Sequence, residues 1–135
     1  MFGRPGTAYV YLCYGIHHLF NVVTNKAEIP HAVLIRALEP LHGVDIMLDR
    51  TRKRVLDNTL TRGLGNVSKA LGIFTTHTGL DLLTSELVIA EDQFEVKKSA
   101  ISITTRIGVD YAGPDAELPY RFIVKNNPFV SGKKS

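Results

Sequence analysis

The stretch Thr7-Ala8-Tyr9-Val10-Tyr11-Leu12-Cys13-Tyr14-Gly15-Ile16-His17-His18-Leu19-Phe20-Asn21-Val22-Val23-Thr24 decides how this 135-residue chain is read. It is rich in strand formers and interrupted only near Tyr14-Gly15, so it reads as a β-hairpin. Loop length then decides which side chains meet. With a two-residue loop, Tyr14 and Gly15, Tyr11 opposes His18 and lies on the face away from Asn21. With Cys13, Tyr14 and Gly15 in the loop and the glycine left-handed, Tyr11 opposes His17 and shares a face with Asn21. We favour the second register. In both, Tyr14 stands at the tip, where a large aromatic finds little of its own protein to pack against. Ordinary strand packing accounts for Tyr9, Tyr11 and Phe20, but not for a ring in that place. Such a ring is exposed or inserts into something, and nucleic-acid bases offer flat apolar faces.

Working outward, residues 31–38 form a continuous apolar run holding Arg36, bounded by Pro30 and Pro40, and read as a buried strand in which the arginine needs a partner. The spacing Leu41, Val44, Met47, Leu48, Val55 then predicts a first helix over 41–56. A Gly63-Leu64-Gly65 turn opens into a second, short helix over 66–71, with Gly72 placed to stop it. Past residue 80 the period returns to two. Leu87, Ile89, Phe94 and Val96 read as a hairpin, Ile101 to Ile107 as a strand, residues 111–119 as a loop and 121–124 as a last strand. Strands at both ends with two helices between them predict a single α+β domain over 1–135, with one strongly curved, mainly antiparallel, open-barrel-like sheet and a protruding hairpin.

Composition narrows the function classes. With 44% apolar and 21% charged residues the chain resembles average globular proteins. No apolar run approaches the ~20 residues of a membrane span, and the start is unlike a secretory signal. A lone Cys13 forbids an internal disulfide and suits a reducing cytoplasm. The net charge of +3 permits a polyanionic partner without demanding one. His17 and His18 point to opposite strand faces, and no second cysteine or helical histidine pair completes a metal ligand set. The run Arg50, Arg52, Lys53, Arg54 reads as a solvated helix end. The glycine-flanked turn before the second helix is more specific: it presents free backbone N–H groups to an anion, with Asn66, Ser68 and Lys69 as further donors. It lacks the ending of a nucleotide-binding P-loop, and no nucleophile-elbow motif is present.

Several motifs in one order carry a resemblance across essentially the whole chain: residues 5–15, then Asn21, Leu34-Ile35-Arg36-Ala37-Leu38-Glu39-Pro40, Gly65-Asn66 through Ala70-Leu71-Gly72-Ile73, Arg106-Ile107-Gly108-Val109, Arg121-Phe122 and Pro128-Phe129-Val130-Ser131. The chain resembles the alkyladenine (3-methyladenine) DNA glycosylase family. The resemblance implies a base-excision repair enzyme that hydrolyses the bond between an alkylated or deaminated purine and deoxyribose after rotating the nucleotide out of the duplex. Tyr14 matches the wedge that fills the vacated space, Tyr11 a wall of the base pocket, and Asn21 the residue that crowds the guanine 2-amino group. His17 is placed beside that pocket by the favoured register. Arg36 and the main-chain carbonyl of Ile107 match groups that hold the attacking water. Gly65, Asn66 and Lys69 fall in the phosphate-contacting turn, where Leu64 replaces the family's usual proline.

The resemblance further implies no metal or organic cofactor. It implies a monomer acting on double-stranded DNA that carries a damaged purine, no membrane, and a cytoplasmic, nucleoid-associated location. The family's general-base glutamate belongs to a Glu-Ala-Tyr-like motif upstream of the Pro-Gly-Thr motif and is not in this sequence. The chain therefore reads as the C-terminal, larger part of such an enzyme, with negligible turnover expected of it alone. The alternative is a non-catalytic nucleic-acid-binding module with an aromatic tip and basic turns.

Overall fold

The computed structural model describes residues 3–26, 31–107 and 110–130. Two antiparallel sheets and two short helices make up the described fold. The α+β class therefore stands, but the single curved sheet divides into two. The first sheet is β1 (Ala8–Cys13), β2 (His17–Val23) and β3 (Ala32–Leu34), in that order. The second pairs β4 (Ile101–Thr104) with β5 (Arg121–Val124).

The hairpin forms where expected but with a different loop. Tyr11 pairs with Leu19, not His17, and Cys13 with His17, so the loop is Tyr14, Gly15 and Ile16. The cause is the turn itself. Tyr14 (φ 52°) as well as Gly15 (φ 71°) is left-handed, and Ile16 N–H closes the turn on the Cys13 carbonyl at 3.2 Å. The shift moves pairing partners by two residues, an even step, so faces are preserved. Tyr9 lies opposite Asn21, and Tyr11 shares that face.

The opposite face makes the core. Ala8, Val10 and Phe20 are buried with Ile73 and Leu82, each of the larger side chains contributing about 1.5–3 kcal/mol relative to exposure. Residues 78–82 run along the free edge of β1. Ala8 N–H donates to the Leu80 carbonyl at 2.9 Å, and Gly79 N–H to the Ala8 carbonyl at 2.8 Å. The Thr78 hydroxyl extends this edge, accepting from Val10 N–H at 2.9 Å and donating to the Val10 carbonyl at 3.0 Å.

The run at 31–38 is not one buried strand. After β3, in which Val33 is exposed, the chain leaves β2 and pairs at Ala37 with Arg62. The first helix, α1 (Val44–Thr51), is shorter than predicted because Gly43 and Arg52 are both left-handed at its ends, and none of its residues is buried. The second, α2 (Leu64–Leu71), ends at the left-handed Gly72 as expected. The hairpin predicted around 87–96 is absent. Phe94 N–H turns back to the Asp92 carboxylate, and Val88, Ile89 and Phe94 are exposed, since alternation alone provides no partner strand. The predicted loop at 111–119 falls largely in a 3₁₀ stretch, Asp110–Glu117, broken at Gly113. Pro30, Gly108, Val109 and Ser131 lie outside the described residues. No helix among the described residues is long and apolar enough to cross a membrane.

Thr78→Val keeps the side-chain shape but leaves both Val10 backbone groups without this partner. It is expected to cost about 1–2 kcal/mol at this partly exposed edge, read as a lower urea midpoint with an unchanged slope.

Candidate nucleic-acid interface and base cavity

A cavity of about 860 Å³ opens between the two sheets. The hairpin contributes Tyr11 and Asn21, residues 32–39 contribute Arg36 and Glu39, and the far side holds Phe94, Arg106, Tyr120, Arg121 and Phe122. Tyr11 and Asn21 reach it from the shared face that the hairpin register creates. Tyr11 leans on Tyr9, the ring centroids 5.6 Å apart. The Asn21 amide nitrogen donates to the carbonyls of Leu19 (3.2 Å) and Tyr9 (3.3 Å). Its hydrogens are thus committed, and it offers the cavity bulk and an acceptor oxygen.

The cavity's cations are held in different ways. Arg106 donates to the Asp115 carbonyl at 3.0 Å and lies 5.6 Å from the Tyr120 ring centroid. Arg121, 4% exposed, donates to the Thr104 hydroxyl across β4–β5 at 3.0 Å. Arg36 is half-buried, and its Nε has no hydrogen-bond partner among the described residues. Burial, and then the charge of Arg121, pull the Arg36 pKa below the ordinary arginine value, although a guanidinium of this kind remains protonated. Glu39, exposed at the edge, is the one carboxylate among the described lining residues.

The sequence-predicted site residues divide into two groups. Tyr11, Asn21 and Arg36 are brought together at the cavity. His17 and Ile107 are not among its lining residues. His17 lies instead against the start of α2, where a Cβ on Gly65 would sit 2.5 Å from its Nδ1. Glycine at 65 is therefore a condition of close approach between helix and hairpin. Ile107 follows the cavity residue Arg106 and is exposed. Tyr14, 91% exposed, projects from the hairpin tip. Arg106, Tyr120, Arg121, Phe94 and Phe122 were given no role by sequence reasoning. Three of them, Arg106, Arg121 and Phe122, do stand in the quoted motifs, and an arginine within an apolar strand was the available signal at 121.

The α2 turn begins at Gly63 (φ 106°) with no side-chain cap, so its first N–H groups lack intrahelical partners. Asn66 is not a spare donor here. Its amide nitrogen donates to the carbonyls of Thr59 and Arg62, each at 3.1 Å, so the first backbone N–H groups of α2 and the exposed Lys69 are the donors left at this turn. No group of three or more His, Cys, Asp or Glu among the described residues is arranged to hold a metal ion.

Comparison with known proteins places this geometry. The family described as "Methylpurine-DNA glycosylase (MPG)" matches residues 1–128. The chain belongs to the methylpurine-DNA glycosylase family. Relatives named "Putative 3-methyladenine DNA glycosylase" include proteins from Alkaliphilus oremlandii, 41% identical over 98% of this chain and 68% of that protein, and Methanocella arvoryzae, 46% identical over 97% and 64%. One from Bacillus cytotoxicus is 44% identical over 97% and 68%. The chain spans about two thirds of the length of these glycosylase relatives. The family resemblance read from the ordered motifs is thereby borne out.

The electrostatics of Arg36 lead to a test. Its charged form is disfavoured in the folded state, so Arg36→Met, which removes the charge and keeps the chain length, is expected to leave the melting temperature equal or raised. Because the group is half-exposed, the gain is small. Binding to a lesion-containing duplex is expected to fall about tenfold, the stability–function trade-off of a site residue. Calorimetry and fluorescence anisotropy on the same preparation check both.

Proposed function

We propose that this chain carries the DNA-reading and base-holding parts of a base-excision repair glycosylase acting on alkylated or deaminated purines in double-stranded DNA. One observation carries the reading: the hairpin that sends Tyr11 and Asn21 into a cavity shared with Arg36 also holds Tyr14 at its tip, outside the protein. A nucleotide rotated out of the duplex leaves a gap that the Tyr14 ring fills. The extruded base enters between the sheets, where the Tyr11 face favours cationic alkylpurines and the bulk of Asn21 opposes an exocyclic amine at the purine 2-position. Arg36 holds the water that attacks the sugar carbon; Ile107, which the resemblance also assigns to that water, follows Arg106 and lies outside the cavity lining. The bond to the purine breaks as that oxygen bonds and the water proton passes to a general base. Gly65 and Lys69 take the DNA backbone at the α2 turn, while Asn66 holds the turn in shape. Family membership favours this reading over a non-catalytic binding module.

Stacking of an inserted ring is worth about 1–3 kcal/mol per base contact. Tyr14→Ala is therefore expected to weaken affinity for a hypoxanthine-containing duplex about tenfold or more at unchanged melting temperature. A large fall in stability would assign the ring to the core and overturn the wedge role.

The only carboxylate among the described cavity residues is exposed Glu39, and general-base catalysis is worth about 10² to 10⁴ in rate. The 135-residue chain is accordingly expected to release hypoxanthine at least ~10² more slowly than a relative that carries a general-base carboxylate. Gel or chromatographic assays of base release check this, and comparable rates would show that an acid within this chain serves as the base.

A further inference from the structure

Two parts of the proposed site, the cavity and the α2 turn, lie on separate segments, and one short stretch of chain joins them. Leu38 N–H donates to the Thr61 carbonyl at 3.0 Å, the Thr61 hydroxyl donates to the Leu38 carbonyl at 2.5 Å, and Gly63 N–H donates to the Arg36 carbonyl at 2.9 Å. Ala37 and Arg62 form the antiparallel bridge between them. The residue that presents the Arg36 guanidinium to the cavity thus accepts, through its own carbonyl, a bond from the glycine that starts α2. Thr61 is 1% exposed, and its carbonyl and hydroxyl both engage Leu38, so the register of the bridge is set from inside the protein. On the outer side Asn66 ties the same turn to Thr59 and Arg62.

We propose that Thr61 is a positioning residue that holds the cavity arginine and the helix-start amides at one fixed separation, so that a base in the cavity and a phosphate at the turn are bound as a unit. The inference rests on the glycosylase reading. Neither surface needs Thr61 to exist, since the Arg36 side chain and the α2 N–H groups are intact without its hydroxyl. What the hydroxyl sets is their relative placement, and a shift of one ångström between two contacts of one nucleotide is enough to prevent both from being made well.

The full chain is titrated by fluorescence anisotropy with a duplex containing one hypoxanthine and with the same duplex undamaged. Thr61→Val keeps the shape and removes the hydroxyl. It is expected to weaken lesion binding about tenfold, comparable to one buried hydrogen bond, while undamaged-duplex binding stays within about twofold because an empty cavity imposes no spacing. Thr61→Ser, which restores the hydroxyl, is expected to restore the lesion preference. A merely structural role would lower both affinities together with the melting temperature, or leave the ratio unchanged, and either result overturns the proposal. Should Thr61→Val not fold, Asn66→Ala, at an exposed position, cuts the outer tether and carries the same expected loss of preference. A parent chain with no preference for the lesion overturns the glycosylase reading and this proposal with it. A preference kept intact in the variants overturns the proposal alone.

Discussion

A strand has two faces, and the offset of the β1–β2 pairing decides which side chains share each one. With Tyr9 opposite Asn21 and Val10 opposite Phe20, one face becomes apolar core and the other becomes aromatic and amide wall. A slip of one residue would put Tyr11 and Asn21 on opposite faces, and Val10 and Phe20 likewise, and leave neither a continuous core face nor a cavity wall. The offset is held at three places: the tight turn closed by Ile16 on Cys13, the backbone bonds from residues 78–82 along the outer edge of β1, and β3 on the other side of β2.

The second sheet supplies what the hairpin lacks. The hairpin's cavity face offers rings and an amide but no charge, whereas Arg106 and Arg121 come from the far wall and Arg36 from the segment that leaves β3. Burial, and then the nearby charge of Arg121, lower the Arg36 pKa, so the pair of guanidinium groups is a cost to folding, each having given up part of its hydration. Buried cations on a cavity wall stabilise the protein less than apolar side chains of the same size would.

Much of this was readable in the chain. Strand formers around Tyr14-Gly15 placed the hairpin, Gly72 marked the end of α2, and the alternation before residue 125 located β5 at Arg121–Val124. The ordered motifs identified the family. Misreadings arose where a backbone conformation has no residue signature. Tyr14 and Arg52 both adopt the left-handed region in which glycine is usual, and so altered the hairpin loop and cut α1 short. The apolar alternation around Leu87 to Val96 signalled a hairpin whose arms do not pair; Ile89 N–H donates instead to the Leu82 carbonyl. The cavity itself was out of reach, because its walls, from Tyr11 to Val130, lie more than a hundred residues apart in sequence and meet only when two sheets face each other. The Asn66 amide illustrates the same limit: its residue type says donor, and only the fold says that the donor is already engaged.

The conformation of Tyr14 has one more consequence. A left-handed backbone costs a side-chain-bearing residue about 1–2 kcal/mol relative to glycine, and at φ 52° this tyrosine bears that penalty at a position where its ring recovers almost nothing from packing. A sequence library screened for heat resistance alone would accordingly drift toward glycine or asparagine at the hairpin apex, shedding the aromatic while the remainder of the molecule became sturdier. If the exposed ring serves as the proposed wedge, thermal endurance and DNA probing are set against each other at that single codon.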